Sequence, residues 1–346
     1  MNSPKSVGLP FVSVIVPCFN EEHHIGKFLD SVFAQTNLPG GYEVIVADGR
    51  STDDSLAILN RFANRESRLR IIDNPERTVS FGLNRAVRAA MGSVIARMDV
   101  HSEYANDYLS ECLAALEKSG ADNVGGPART KAVGYWQRAN AAAYQSRFSV
   151  GGARFHDPSY EGFVDTVTYG CWYKQRLLDL GLFDESLVRN QDDELNLRTV
   201  LRGGRIWQTP RIRSWYSPRS SVTKLFRQYY QYGYWKVRVI NKHRRVASFR
   251  HLVPAAALSG ALVMLVAGYW WRPALIALGA FAVTYFGLSI VAALRAGLRS
   301  RDWILIPSLP LVFATYHFSY SLGFLRALTD SIWGRRARSS VTQLSR

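Results

Sequence analysis

Acidic residues stand where short apolar runs end. Val44-Ile45-Val46-Ala47 closes on Asp48, and Val94-Ile95-Ala96-Arg97-Met98 closes on Asp99 with His101 two residues on. Gln191-Asp192-Asp193-Glu194 opens a helical run. Open α/β sheets bind ligands just beyond the carboxyl ends of their strands, so a carboxylate parked there is a site candidate. In chain order the three groups suit a nucleotide, a metal ion and a general base. Pro17-Cys18-Phe19-Asn20-Glu21 follows a first strand and Asp48-Gly49-Arg50-Ser51-Thr52-Asp53 a second. Together they set backbone N–H groups and two carboxylates around one crevice, where an acid commonly holds a ribose hydroxyl or a base edge. No Gly-x-Gly-x-x-Gly run supports a dinucleotide reading. Asp99 and His101 alternate and so share one side of an extended turn. A diphosphate and a divalent cation can meet there, the ion offsetting charge on a leaving phosphate; an acid in that position can equally cap the next helix. Crowded like charges at 192–194 disfavour ionisation, the direction useful to a general base. Acids also gather at helix N-termini for dipole reasons alone.

Short β-branched runs alternating with amphipathic ones must position these groups, the pattern of a parallel sheet with crossover helices. Strands are expected near 11–17, 43–47, 69–73 and 93–98, with helices near 21–35, 52–63, 79–90 and 104–118. Thr52-Asp53-Asp54 caps the second helix and Gly92 closes the third. Beyond Gly120 the periodicity loosens. Gly125-Gly126-Pro127 and Gly151-Gly152 mark turns around a helical patch at 134–148. Regular structure resumes at Val164–Tyr169, with a helix at about 173–180 and another opened by Gln191.

The formal net charge of +16 over 346 residues is unevenly spread, since no Asp or Glu occurs from Leu195 to Arg301. Basic balance alone permits nucleic acid, an anionic membrane or phosphorylated substrates. The apolar runs decide among these. Leu252–Trp271 ends in Tyr269-Trp270-Trp271, Pro273–Leu294 follows Arg272, and Trp303–Leu325 carries Pro307 and Pro310. The first two are each long enough to cross a ~30 Å hydrocarbon core as helices. Their arginine flanks and aromatic belt are what membrane interfaces select. Two or three spans are expected, a third full crossing placing Arg335, Arg336 and Arg338 on the far side. Val222–Val239 interleaves tyrosines and Trp235 with bases, which suits a headgroup layer. No signal-peptide pattern is visible. Cys18, Cys112 and Cys171 lack metal-ligand spacing and fit a reducing compartment. The expected division is therefore 1–220 catalytic and cytoplasmic, 221–250 interfacial, 251–327 membrane helices and 328–346 a basic tail, in a multi-pass protein of the cell membrane.

The combined set Pro17-x-x-Asn20-Glu21, Asp48-Gly-x-Ser51-Thr52-Asp53, Asp99-x-His101, Gly181-x-Phe183-Asp184-Glu185 and Asp192-x-Glu194-Leu195-x-x-Arg198 resembles family 2 glycosyltransferases of the GT-A fold. Val150-Gly151-Gly152, Val164-Asp165-Thr166-Val167-x-x-Gly170, Asn190-Gln191-Asp192-Asp193-Glu194 and Gln228-Tyr229-x-x-Tyr232-Gly233-x-Trp235-Lys236 look like the succinoglycan glucosyltransferase branch. The resemblance implies an α/β fold, a Rossmann-like mixed sheet flanked by helices, followed by transmembrane helices. It also implies that Pro17, Asn20, Glu21 and Asp48, with Asp99, bind a nucleotide-sugar. Asp99 assisted by His101 would hold Mg²⁺ or Mn²⁺, Asp192 would be the base of an inverting transfer, and Gly170, Asp193, Gln228 and Trp235 would line the acceptor or the diphosphate. Two departures stand out. The metal motif ends in His101 rather than Asp, and Gln231-Tyr232 stand where a Gln-x-x-Arg-Trp motif would put Arg-Trp, which argues against a processive polymerase.

The expected function is transfer of a hexose, glucose by resemblance, from a UDP-sugar to a polyprenyl-pyrophosphate-linked saccharide in exopolysaccharide or cell-surface glycan synthesis. Direct transfer to polyprenyl phosphate, as in dolichol-phosphate synthases, is the alternative. A non-catalytic membrane interaction module is disfavoured because Asp99 and Asp192 are both present. The partners expected are the UDP-sugar donor, the lipid-linked acceptor and the membrane, with no nucleic acid.

Overall fold

Seven-residue runs with every side chain at least half hidden can only be interior strands, and the first two behave so. Residues 11–334 are described by the computed structural model; Leu9, Pro10 and the basic tail from Arg335 lie outside them. The described residues form two compact units, one running to Arg129 and including Arg154–Tyr216, the other comprising Thr130–Ala153 and the chain from Ser217 on.

In the first unit, β1 (Val12–Cys18), α1 (Ile25–Phe33), β2 (Tyr42–Asp48), α2 (Ser55–Ala63), β3 (Leu69–Asp73), α3 (Val79–Ala89) and β4 (Val94–Arg97) alternate as the periodicity requires. β2 and β4 both run parallel to β1, one on each side, and β3 runs parallel to β2. The short β5 (Ser102–Tyr104) comes next, so the helix expected from 104 starts only at α4 (Tyr108–Ser119). β6 (Asn123–Gly126), β7 (Arg129–Thr130), α5 (Tyr135–Tyr144), α6 (Arg147–Val150), β8 (Gly162–Val164), β9 (Thr168–Tyr173), α7 (Lys174–Asp179), α8 (Gln191–Leu201), β10 (Ile206–Gln208) and β11 (Ser214–Tyr216) follow. The eight-stranded sheet has the order β3-β2-β1-β4-β9-β6-β10-β8, and a three-stranded one the order β5-β11-β7. β9 is antiparallel to both β4 and β6, which makes the main sheet mixed.

Alternation along β1 feeds two cores. Val12, Val14 and Val16 meet α1, α2 and α4 through Leu29, Leu59 and Leu109, whereas Ile15, Ile45 and Ile95 meet α3, α7 and α8 through Leu83, Leu177 and Leu195. Helices thus cover both faces, as near-continuous apolar parallel strands demand. At the opposite end of the sheet from the acids, the buried Glu43 accepts from Ser13 Oγ at 2.7 Å, Met91 N at 2.6 Å and Arg70 Nη1 at 3.0 Å. Burial pushes the Glu43 pKa up, but those three donors outweigh it and leave the carboxyl below its ordinary value. Its stabilisation is therefore complete above about pH 4.3, the ordinary glutamate value, and drains as pH falls through the lower folded value. Glu43→Ala should cost about 2 kcal/mol at neutral pH, the scale of hydrogen bonds to a charged group. A thermal unfolding midpoint unchanged from the parent would contradict this.

The second unit contains α5, α6, α9 (Val222–His243), α10 (Val253–Ala267), α11 (Arg272–Ser300) and α12 (Leu309–Ile332). The helical patch expected at 134–148 is present as α5 and α6, and its partners are C-terminal. Arg138 pairs with Asp302 at 3.0 Å, Phe148 O meets His317 Nε2 at 2.8 Å, and Tyr316 hydrogen-bonds Asn140. α9 and α12 cross at Gly233 and Gly323. A Cβ on Gly233 would collide with the Tyr320 carbonyl, and one on Gly323 with that of Tyr230. Gly323→Ala should therefore cost about 1–3 kcal/mol of stability by overpacking, read as a lowered unfolding midpoint. Tyr234 and Trp235, expected among headgroups, are buried within this unit.

Of the three apolar runs, α11 alone forms a helix long and apolar enough to cross a membrane among the described residues, and nearly all of its apolar surface faces outward. α10 has 15 residues, about 22 Å at the α-helical rise and short of a ~30 Å hydrocarbon core. α12 carries Arg326 and the buried Asp330, paired at 3.2 Å, and turns many of its apolar side chains inward.

Candidate active site

β1 is the topological switch point, because successive parallel strands are added on one side of it and then on the other. Ligand crevices in open α/β sheets form at the carboxyl ends of such strands. Cys18 is in register with Asp48, which puts the loop after β1 beside the loop after β2. The two loops are laced together. Gly49 N donates to Cys18 O at 2.7 Å, Asn20 N to Ser51 Oγ at 2.9 Å, Thr52 N to Asn20 Oδ1 at 2.8 Å and Glu21 N to Ser55 Oγ at 2.6 Å. Asn20 adopts the left-handed region, φ 54°, where asparagine is tolerated. Asp48 is buried, and Ser51 holds it from both its hydroxyl (2.6 Å) and its N–H (3.0 Å). Pro17 is half-buried in β1, in register with Ala47.

The Asp99 loop is a tight turn closed by Ser102 N to Asp99 O at 3.1 Å, not the extended one expected. Its two side chains consequently find different partners. His101 Nε2 lies 3.0 Å from Glu21 Oε1, which brings the β4 loop onto the β1 loop. The His101 ring also meets His24 edge-on, and burial together with that neighbour holds His24 below its ordinary imidazole value. Asp99 receives a two-pronged bond from Arg97, Nε and Nη2 each at 3.0 Å. Arg97 is buried in β4, and its Nη1 stands 3.9 Å from Asp192 Oδ2. Burial disfavours the Arg97 charge, but Asp99 and Asp192 more than offset this and keep the guanidinium protonated. One cation thus brings Asp99 and Asp192 together.

The adjacent acids of α8 differ in burial and partners. Glu194 is fully buried in an ion pair with Arg198 at 2.6 Å, and Arg198 also donates to the carbonyls of Leu180 and Leu182. Asp192, at the first turn of α8, is 43% exposed, and Asp193 N donates to its Oδ1 at 2.9 Å. The Gly181–Glu185 loop is fixed from the other side by Asn84, which exchanges bonds with Phe183 N and O and donates to Glu185. Gly170 lies inside β9 at φ 102°, where a Cβ would strike Trp172 and Asn123, so packing alone requires glycine there. Gln228 and Trp235 belong to the other unit. Both are buried on α9, Gln228 donating to Tyr232 at 3.0 Å.

The description "Glycosyl transferase family 2" matches residues 13–180. The chain is 30% identical to succinoglycan biosynthesis protein ExoA of Rhizobium meliloti over 319 residues, 92% of this chain and 94% of that protein. The chain belongs to glycosyl transferase family 2. This glycosyltransferase is also 26% identical, over 92% of its own length and 97% of the other's, to a dolichyl N-acetyl-α-D-glucosaminyl phosphate 3-β-D-2,3-diacetamido-2,3-dideoxy-β-D-glucuronosyltransferase of Methanococcus voltae. Two solved structures share its fold. The mannosyltransferase PcManGT of Pyrobaculum calidifontis, in complex with GDP-Man and Mn²⁺, superposes with a TM-score of 0.59 at 19% identity, covering 96% of this chain and 90% of that one. TarS 1-349 of S. aureus with UDP-GlcNAc gives 0.51 at 16% identity, covering 94% and 93%.

Sequence reasoning missed several residues around this glycosyltransferase's acids. Arg97 is the foremost, and its signal was an arginine inside an otherwise apolar buried strand, where a charge is costly unless paired. Tyr104 Oη accepts from Asp99 N at 2.7 Å. Tyr169, also at left-handed φ, hydrogen-bonds Ser102 beneath the same turn. Burial pushes both phenols above their ordinary value, so they remain neutral. No local pattern in the sequence marks either tyrosine.

Proposed function

We propose that this glycosyltransferase moves glucose from UDP-glucose, with inversion, onto a polyprenyl-pyrophosphate-linked saccharide at the cytoplasmic face of the cell membrane. The observation that carries this reading is the pairing of Asp99 and Asp192 through one buried arginine at the switch point of the sheet, beside the Asp48 and Glu21 loops. Asp48, with Pro17, Asn20 and Glu21, takes the uridine. Asp192 accepts the proton of the acceptor hydroxyl as its oxygen attacks the anomeric carbon. The anomeric C–O bond to the diphosphate breaks on the opposite side and UDP leaves, which inverts the configuration. An exposed carboxylate at the start of a helix, open to solvent on one side, is well placed to meet an incoming hydroxyl.

Among the described residues no group of three or more His, Cys, Asp or Glu side chains is gathered around one ion position. Asp99 is nevertheless suited to a divalent cation, because Mg²⁺ and Mn²⁺ prefer oxygen donors and often take one or two carboxylates plus substrate phosphates. Asp99 would hold Mg²⁺ or Mn²⁺, which when bound would offset charge on the departing diphosphate, while His101 stays with Glu21. Gly170 and Asp193 are proposed on the acceptor side. The relative from M. voltae, named for a dolichyl-phosphate-linked sugar, supports a lipid-linked saccharide over bare polyprenyl phosphate. For anchoring, α10 and α11 enter the bilayer together as a hairpin with the Tyr269-Trp270-Trp271 belt, so that the segments before and after it stay on one face of the membrane. The exposed rings of that belt and the outward apolar face of α10 support this.

The test is nucleoside diphosphate release by the full chain in detergent, with membrane lipid extract as acceptor, across UDP-glucose, UDP-GlcNAc and GDP-mannose. Extract-dependent UDP release from UDP-glucose is expected. Release from GDP-mannose alone overturns the donor, and release from none overturns the transferase reading.

A further inference from the structure

Arg97 is an unusual occupant of its position. It sits in β4 in register with Ile15, flanked by the fully buried Ala96 and Met98, with its side chain 6% exposed. Its fork occupies both oxygens of Asp99 at 3.0 Å, and its remaining nitrogen, Nη1, is buried without a hydrogen bond and faces Asp192 at 3.9 Å. A buried N–H donor with no acceptor is costly, and native interiors retain few. The guanidinium is planar and cannot lose its proton, so its two ends hold a fixed spacing between whatever they touch. One end grips the carboxylate assigned to the cation and diphosphate, and the other faces the carboxylate assigned to the acceptor hydroxyl.

We propose that Arg97 is the positioning residue of this active site: it sets Asp192 relative to Asp99, and it competes with the divalent cation for Asp99. The inference rests on the roles given to Asp99 and Asp192 above. It deepens them, because the motif that ends in His101 carries an arginine two residues before its single acid. Both oxygens of Asp99 already bond to a cation of the protein's own. A metal ion must therefore share Asp99 with a nearby positive charge, while Nη1 keeps the Asp192 carboxylate turned toward the donor side. Removing the guanidinium should free Asp99 for metal and release Asp192 from its register, two effects of opposite sign on binding and on turnover.

The experiment compares full-length Arg97→Met and Arg97→Lys with the parent in detergent. Calorimetry with Mn²⁺ alone reads the competition, and UDP release from UDP-glucose with lipid extract reads turnover. Arg97→Met should bind Mn²⁺ on the order of tenfold more tightly, since a unit charge a few ångströms from the ligand is removed. Its kcat should fall by about 10²-fold with the donor KM within about threefold, because the substitution misplaces a reacting group and leaves donor binding intact. In an Asp192→Asn background the same change should bring no further loss of turnover, the non-additivity of residues acting through one group. Arg97→Lys keeps the charge without the fork, so Mn²⁺ affinity should return to the parent's while kcat stays at least about tenfold down.

Parent-like Mn²⁺ affinity and kcat in Arg97→Met overturn the proposal. If that variant does not fold, Arg97→Lys decides, and full turnover there overturns the bridging role. A loss of kcat accompanied by a raised donor KM and a lowered unfolding midpoint is general damage and overturns it too. Asp99→Ala and Asp192→Asn in the same assays separate the two levels. If Asp99→Ala still binds Mn²⁺ or Asp192→Asn turns over within a few-fold of the parent, the functional assignment itself falls, whatever Arg97 does.

Discussion

Asp192→Asn lowers turnover by about 10²–10⁴-fold and leaves UDP-sugar affinity within about twofold, the signature of a base that acts only in the transition state. The amide keeps the size of the carboxylate and its place at the first turn of α8, so the helix itself is undisturbed. That helix is held from several sides. Arg198 and Glu194 bind it to the Gly181 loop, and Asn196 donates to Thr166 while accepting from Asn123, which in turn accepts from Cys171 N. Every one of these contacts survives the substitution. What is lost is the charge facing Arg97 and, in the proposed role, the ability to accept a proton from the acceptor hydroxyl. Steady-state kinetics with lipid extract as acceptor give kcat and donor KM separately. A kcat within a few-fold of the parent would assign the base elsewhere.

Asp99→Ala abolishes divalent-dependent binding of the UDP-sugar. The donor diphosphate is anionic, and in the proposed reading Asp99 would anchor a divalent cation against it. Without that anchor Arg97 also loses its bidentate partner and is left as a buried charge facing only Asp192, which strands several kcal/mol of desolvation cost. Calorimetry of UDP-glucose with and without Mn²⁺ reads the effect directly. Unaltered affinity and unaltered metal dependence would remove Asp99 from the site. A conservative Asp99→Asn separates the two consequences, because it keeps the bond with Arg97 partly satisfied while weakening the cation site.

The first hundred residues were legible because β1, β2 and β4 bury nearly every side chain and each crossover helix carries one apolar face. Period and length alone therefore located β1 to β4 and the acids at their ends. The same reasoning read Asp99 and His101 as partners on one face, and the turn closed by Ser102 sends them apart, to Arg97 and Glu21. A hydrogen bond across three residues leaves no trace in apolar periodicity. Strands of two or three residues such as β5 and β7 exist by pairing with distant segments, so neither alternation nor propensity marks them. α5 and α6 were seen as helical, but their partners Asp302, Tyr316 and His317 are some 150 or more positions away, beyond any local signal. Interleaved aromatics and bases on α9 suit a headgroup layer and a packed helix equally well. The glycines at 233 and 323, which let α9 and α12 approach to backbone contact, favour packing for Tyr234 and Trp235. Arg97 was overlooked for the reason that makes it informative: strand reasoning counts apolar residues, and it passed over the one charge in β4.

A structure of the full chain with UDP-glucose and Mn²⁺, using Asp192→Asn to hold the donor intact, tests the central claim most directly. The account predicts the uridine against Asp48 and Glu21, the metal on Asp99 between it and the diphosphate, and residue 192 on the acceptor side of the anomeric carbon. A nucleotide bound away from the carboxyl ends of β1, β2 and β4, or an anomeric carbon beyond the reach of residue 192, would contradict it.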